Sequence, residues 1–308
     1  MPFSNGGRCR QGRFSACFPT GSFADRRAHR APRWIAVMIT MLVSATPVRA
    51  AGAFKITALS DDAPTGFAAA FDRQVDVFGV RIYATPPVPR GKLLHVANVL
   101  AQYLDNDADG AVDNKRVLRK LLAARASMVM FADSRETEAF FEAVDDETSD
   151  AIELQDVAAA ETYPGGAAKG RFDASLEEVL HLISHVGLAR AYPRIWGERA
   201  GTKLAKAMDI ARGGHLLQIP EQYSDSAWYT YDDVTCDYSC QATEYFYWGL
   251  TSLLGLQDFP GRFDQIRHEW RLNTPEKLAT TDARLYRLLI RKRYRLPTIA
   301  PDGDYRIC

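Results

Sequence analysis

The chain has 308 residues with 38 basic and 38 acidic side chains, is 47% hydrophobic and 25% charged, and so excludes a disordered tail, a collagen-like fibre and a disulfide-dense miniprotein. The balanced charge averages two unlike parts: residues 1–50 hold eight Arg and a single acid, Asp25, which leaves 30 basic and 37 acidic residues in 51–308, a net charge of −7. A mildly acidic body argues against binding nucleic acid or an anionic membrane surface.

The Arg-rich start leads into a 12-residue apolar run, Trp34 to Ala45, closed by Val48-Arg49-Ala50. A positive start, a short apolar run and a small-residue end describe a signal peptide cleaved near Ala50. A spanning helix needs about 20 apolar residues, so the run is too short to anchor the chain. The expectation is an exported, soluble protein, secreted or periplasmic, with no membrane insertion after cleavage. Cys9 and Cys17 leave with the leader, so Cys236, Cys240 and Cys308 remain. In an oxidising compartment three cysteines predict one bridge and one leftover thiol, with the pairing open.

Residues 51–308 read as one α+β domain of two lobes around one cleft. The first, 51–170, holds strands; the second, 171–308, is mainly helical. Residues 74–85 alternate and are rich in Val, Ile, Phe and Tyr, which predicts a strand. Residues 91–104 place Leu94, Val96, Ala97, Leu100 and Leu104 on a helical stripe. A helix near 115–125, a buried strand at 126–132, a helix near 134–143 and a strand at 152–157 follow. Residues 165–170 are a Gly-rich loop. Beyond it, helices are expected at 173–190, 198–212, 239–256 and 275–292. The aromatic, Asp-rich stretch 219–238 reads as a loop.

Two stretches carry candidate chemistry. In 105–113, DNDADGAVD, the carboxylates Asp105, Asp107 and Asp109 alternate, Gly110 permits a sharp turn, and Asp113 falls at the ninth position. With the Ala111 carbonyl at the seventh, this is the front of an EF-hand calcium loop between two helices. It resembles the shortened DxDxDGxxD loops of extracellular calcium-binding repeats. The twelfth position is Arg116 in place of a bidentate Glu, so a structural calcium held more weakly is expected.

The second stretch is 173–190, DASLEEVLHLISHVGLAR. His181 and His185 lie four apart on one helical face, where two imidazoles can grip one metal ion. Glu178 falls between their directions and Glu177 lies beside His181. Two carboxylates and two imidazoles on a quarter of the circumference point to metal, or to a structural cluster of capped histidines.

His181-Leu-Ile-Ser-His185 resembles the HExxH helix of the zinc metallopeptidases called zincins. Downstream, Thr243-Glu244-Tyr245-Phe246 resembles the EYF-type helix that supplies a glutamate ligand in gluzincins. The resemblance implies that His181, His185 and Glu244 bind zinc and that a peptide or protein is the substrate. The sequence departs where the family has its general base, because that position is Leu182, which cannot accept a proton. Glu178 is then the candidate base, from an unusual position, and Tyr238 a candidate for stabilising an oxyanion. Alternatives are Asp209 as third ligand, and Glu178, His181 and His185 as ligands themselves. The whole reads as a zincin-like metal-binding protein, an active hydrolase or an inactive relative. The competing reading is a non-catalytic, calcium-stabilised module whose aromatic residues Trp228, Tyr229, Tyr231, Phe246, Tyr247 and Trp248 bind a partner or glycan.

Overall fold

A computed structural model describes residues 54–143 and 152–307; the proposed leader and Cys308 lie outside them. Among these residues no helix is long and apolar enough to cross a membrane. The class is α+β, a four-stranded mixed sheet followed by a mainly helical region.

The stretch 74–85 folds as a hairpin, β1 (Arg73–Val77) and β2 (Val80–Ala84), where one strand was expected. Phe78 and Gly79 take φ of 54° and 89°, the left-handed pair that a two-residue hairpin turn requires. Alternation survives the turn, with Val75, Val77, Val80 and Ile82 all buried. β3 (Ser127–Phe131) and β4 (Leu154–Ala158) add in parallel, giving the order β1-β2-β3-β4. All five residues of β3 are buried, as a continuous apolar run in a central parallel strand demands. β4 is the edge.

A short helix, α1 (Phe67–Ala70), precedes the hairpin. α2 (Arg90–Leu104) buries Leu93, Val96, Ala97 and Leu100 against the sheet. α3 (Lys115–Ala123) starts where the Asn114 side chain accepts the Val117 N–H. α4 (Ser134–Ala143) follows β3.

The histidine segment begins as α5 (Ser175–Leu182), widens into a π-helical turn over Ile183–Leu188 and ends as α6 (Ala189–Ala191). A Cβ on Gly187 would come within 2.7 Å of Val117 Cγ1, so the wide turn rests directly on α3. α5 packs on α2, β4 and the later helix α8 (Tyr238–Leu253), which brings the two candidate halves of the metal site together.

The expected helix 198–212 is shorter, α7 (Lys203–Ala211), because Thr202 caps it by accepting from the Ala205 N–H. Asp237 caps α8 in the same way, through the Cys240 N–H. After α9 (Arg262–Ile266) the expected helix 275–292 is two, α10 (Pro275–Thr281) and α11 (Ala283–Leu289). The break is Asp282. One carboxylate oxygen caps α11 at the Leu285 N–H, and the other accepts from Trp228 Nε1 and the Tyr245 hydroxyl. Tyr229, Phe246, Tyr247 and Trp248 are core residues, with Trp228 and Tyr231 partly buried, so these aromatics do not form an open binding surface. Cys236 and Cys240 are joined by a disulfide at the start of α8.

The last stretch returns to α2. Asn98, Gln102 and Asn106, four apart, present their amides to the backbone of residues 298–303. The Tyr305 hydroxyl donates to Asp105 Oδ2 at 2.5 Å.

Candidate metal centre

α5 and α8 cross so that Glu177, His181 and Glu244 each offer a ligand atom within 4.8 Å of the other two. His181 Nε2 is buried, lacks a hydrogen-bond partner and lies 3.6 Å from Glu244 Oε2. The opposite ring nitrogen, Nδ1, faces Glu178 Oε2 at 3.5 Å, and Gln155 Nε2 on β4 donates to that same oxygen at 2.7 Å. One side of the ring is thus turned to an anchored carboxylate, while the other presents an unpartnered nitrogen to two more. The Tyr247 ring stands edge-on to His181, 5.5 Å between centroids.

The electrostatics follow from this crowding. Burial pushes the Glu177 carboxyl up to about 8; His181 and a hydrogen bond with Tyr247 hold it back, while Glu244 and Glu178 push it further. Burial opposes charge on His181, but Glu244 and Glu178 outweigh it and raise its pKa well above the ordinary value. Burial and Glu178 also raise Asp156 on β4. Burial and Glu244 raise the hydroxyls of Tyr229 and Tyr231. An orphaned imidazole nitrogen facing two carboxylates is a donor set suited to a divalent transition metal.

The remaining sequence candidates are placed elsewhere. His185, on the π-helical turn, directs Nδ1 to Glu198 Oε2 at 2.5 Å and is not part of the converging trio. Glu198 also accepts from the hydroxyls of Thr243, at 2.7 Å, and Ser239, at 3.3 Å. Tyr238 donates to Asp209 Oδ1, and Asp209 Oδ2 pairs with His215, so both Tyr238 and Asp209 belong to a separate group. Leu182, in the place of the usual base, is buried in the core. Sequence reasoning placed Glu177 in the crowd without naming it as a ligand, although its i, i+4 spacing to His181 carried that signal. Glu198 sits outside any regular element and had no periodic signal to reveal it.

The acidic loop links α2 to α3 as expected, and Asp105, Asp107 and Asp109 converge within 4.8 Å. Asp105 is wholly buried and accepts from the N–H groups of Asp109 and Gly110 as well as from Tyr305. Asp109 Oδ1 accepts from the Ala111 N–H, and Asp113 Oδ2 from the Asn106 N–H. Burial raises the Asp113 pKa; the bond from Asn106 opposes this, and Asp107 and Asp105 add to it. Arg116, at the twelfth position of the loop, stacks over the Tyr192 ring at 4.6 Å. A cleft of about 500 Å³ opens beside the loop, lined by Asp107, Asp109, Asp113, Arg293 and Arg295 among others.

Among the described residues, two groups of side chains can therefore hold a metal ion, one recessed and mixed in donor type, the other all-oxygen. The chain matches no protein-family profile, no curated protein sequence and no solved structure.

Proposed function

We propose that this chain is an exported, zincin-like metalloprotein in which Glu177, His181 and Glu244 hold one zinc ion that serves hydrolysis of a peptide bond. The observation that carries the reading is the buried, unpartnered Nε2 of His181 facing the carboxylates of Glu177 and Glu244. Glu178 has the role of the outer carboxylate that fixes the ring and its tautomer through Nδ1. Zinc in such a site acts as a Lewis acid and brings the pKa of water there close to neutrality. The Arg-rich leader supports export, where a peptide or protein substrate would be met. Asp105, Asp107 and Asp109, with Ala111 and Asp113, are the proposed calcium loop, and its role is structural.

The buried Leu182 favours a second reading, a calcium-stabilised module without catalysis. Elemental analysis separates the two. Purified protein is dialysed against metal-free buffer beside His181→Ala and Glu244→Gln. Near-stoichiometric zinc that both variants lose supports the centre. Calcium alone, unchanged by either variant, leaves only the module.

A further inference from the structure

Leu182 offers no proton acceptor next to His181 and Glu178 is engaged by His181 Nδ1 and Gln155, while the structure holds a second, more exposed histidine–carboxylate pair one helical turn away. We propose that His185 and Glu198 form a proton-transfer dyad serving the centre at Glu177, His181 and Glu244, with His185 Nε2 as the group that accepts and returns the proton. The inference rests on the metal reading above.

Glu198 is built for this task. Its side chain is 6% exposed, yet its two oxygens receive three donors, His185 Nδ1, the Thr243 hydroxyl and the Ser239 hydroxyl. A buried carboxylate so fixed sets the imidazole's tautomer: Nδ1 carries the hydrogen, and Nε2 is left with a lone pair. The His185 side chain is 49% exposed, so water can reach the ring, whereas His181 is only 10% exposed. Both partners are tied to the centre through the backbone. His185 follows His181 by four residues, about 6 Å along a helix. Thr243, which holds Glu198, immediately precedes Glu244. The π-helical turn that carries His185 is a rare geometry that recurs at functional sites.

In the hydrolysis, Nε2 takes a proton from the attacking water as the C–O bond forms. It then gives that proton to the amine nitrogen as the C–N bond breaks, so the products are a carboxylic acid and an amine and the dyad returns to its starting state. The charged groups around the ring suit this. Glu198 raises the pKa of His185, burial opposes it, and Glu153 adds to it while Arg190 subtracts. Glu153 and Arg190 are themselves paired, so their influence on the ring partly cancels.

The test follows the His185 Cε1–H resonance through a pH titration of the purified protein, without metal and with one equivalent of zinc. His185→Gln assigns the signal and Glu198→Gln checks its partner. Without metal the midpoint should lie above 6.5 and fall back towards it in Glu198→Gln. With zinc it should drop by about 0.5, as a nearby cation requires, and still titrate. His185→Gln should keep its zinc while His181→Ala loses it. Loss of the titration on adding zinc would make His185 a ligand and overturn the proposal. An unmoved midpoint would make the pair a surface contact and overturn it too. If the wild type retains no zinc by elemental analysis, the metal reading itself falls and takes the dyad's role with it.

Discussion

Replacing Glu177 with Gln should affect the metal-free and the metal-loaded protein in opposite directions. In the fold the Glu177 carboxyl is raised from its ordinary 4.5 to about 8. At pH 7 the folded protein therefore keeps a proton there that the unfolded chain has released. Below about pH 4.5 both states are protonated and nothing is lost. The penalty grows as pH rises, reaches ~3 kcal/mol at pH 7 and is complete above about 8, where linkage sets it at ~5 kcal/mol. Sharing of protons with His181 and Glu244 reduces what a single substitution recovers to ~1–3 kcal/mol. A glutamine fits the same space without a charge, so Glu177→Gln should raise the melting temperature of the metal-free protein and flatten its decline with pH. Zinc reverses the order. At a free concentration about a hundredfold above its Kd, zinc stabilises the wild type by ~2.7 kcal/mol, an increase of ~5–10 °C for a domain of this size. The variant, with one ligand gone, should show little of that increase. Calorimetry of both proteins, after chelation and again with zinc, reads all four states. A variant less stable than wild type without metal, yet shifted as far by zinc, would refute the reasoning.

Three further outcomes follow from the packing. Asp282→Ala removes the cap of α11 and orphans Trp228 Nε1 and the Tyr245 hydroxyl, which should cost ~3–5 kcal/mol in urea unfolding, with Asn recovering part of it. Asp173, buried against His95 at 2.5 Å, is pushed up by burial but held below the ordinary carboxylate range by His95, Ser175 and the Tyr163 N–H. Its stabilisation is thus present above about pH 4 and lost as pH falls further; Asp173→Asn should cost ~3 kcal/mol at neutrality and flatten the acid limb of the unfolding profile. Reducing the Cys236–Cys240 disulfide, which closes a loop of sequence separation 4, should cost only ~2 kcal/mol and leave the fold intact by circular dichroism.

Much of this was legible in the chain. The stripe of α2 and the apolar run of β3 are local signals, and those elements form where the signals sit. The misses have long-range causes. Asp282 breaks a helix because residues 37 and 54 positions earlier in the chain bring their donors to it. In the wide turn after Leu182, Gly187 lies against α3 too closely for a side chain, a contact between segments far apart in the chain. At the site, helical spacing placed Glu177 and Glu178 beside His181, where the structure has them, whereas His185 lies on the wide turn and pairs with Glu198. It could not say which carboxylate each ring would turn towards, because Glu198 and Glu244 arrive from elsewhere.

The amide ladder that runs from α2 into the acidic loop also imposes an order in time. Asn98, Gln102 and Asn106 wait for backbone made about two hundred residues later, and the Asp105 carboxyl waits as long for its tyrosine. While synthesis proceeds, the front of the acidic loop stands open to water, however completely the sheet beside it has formed. The acidic loop is therefore finished by the last stretch of the described chain, and a protease that trims a few residues there would unlatch the loop without touching a strand.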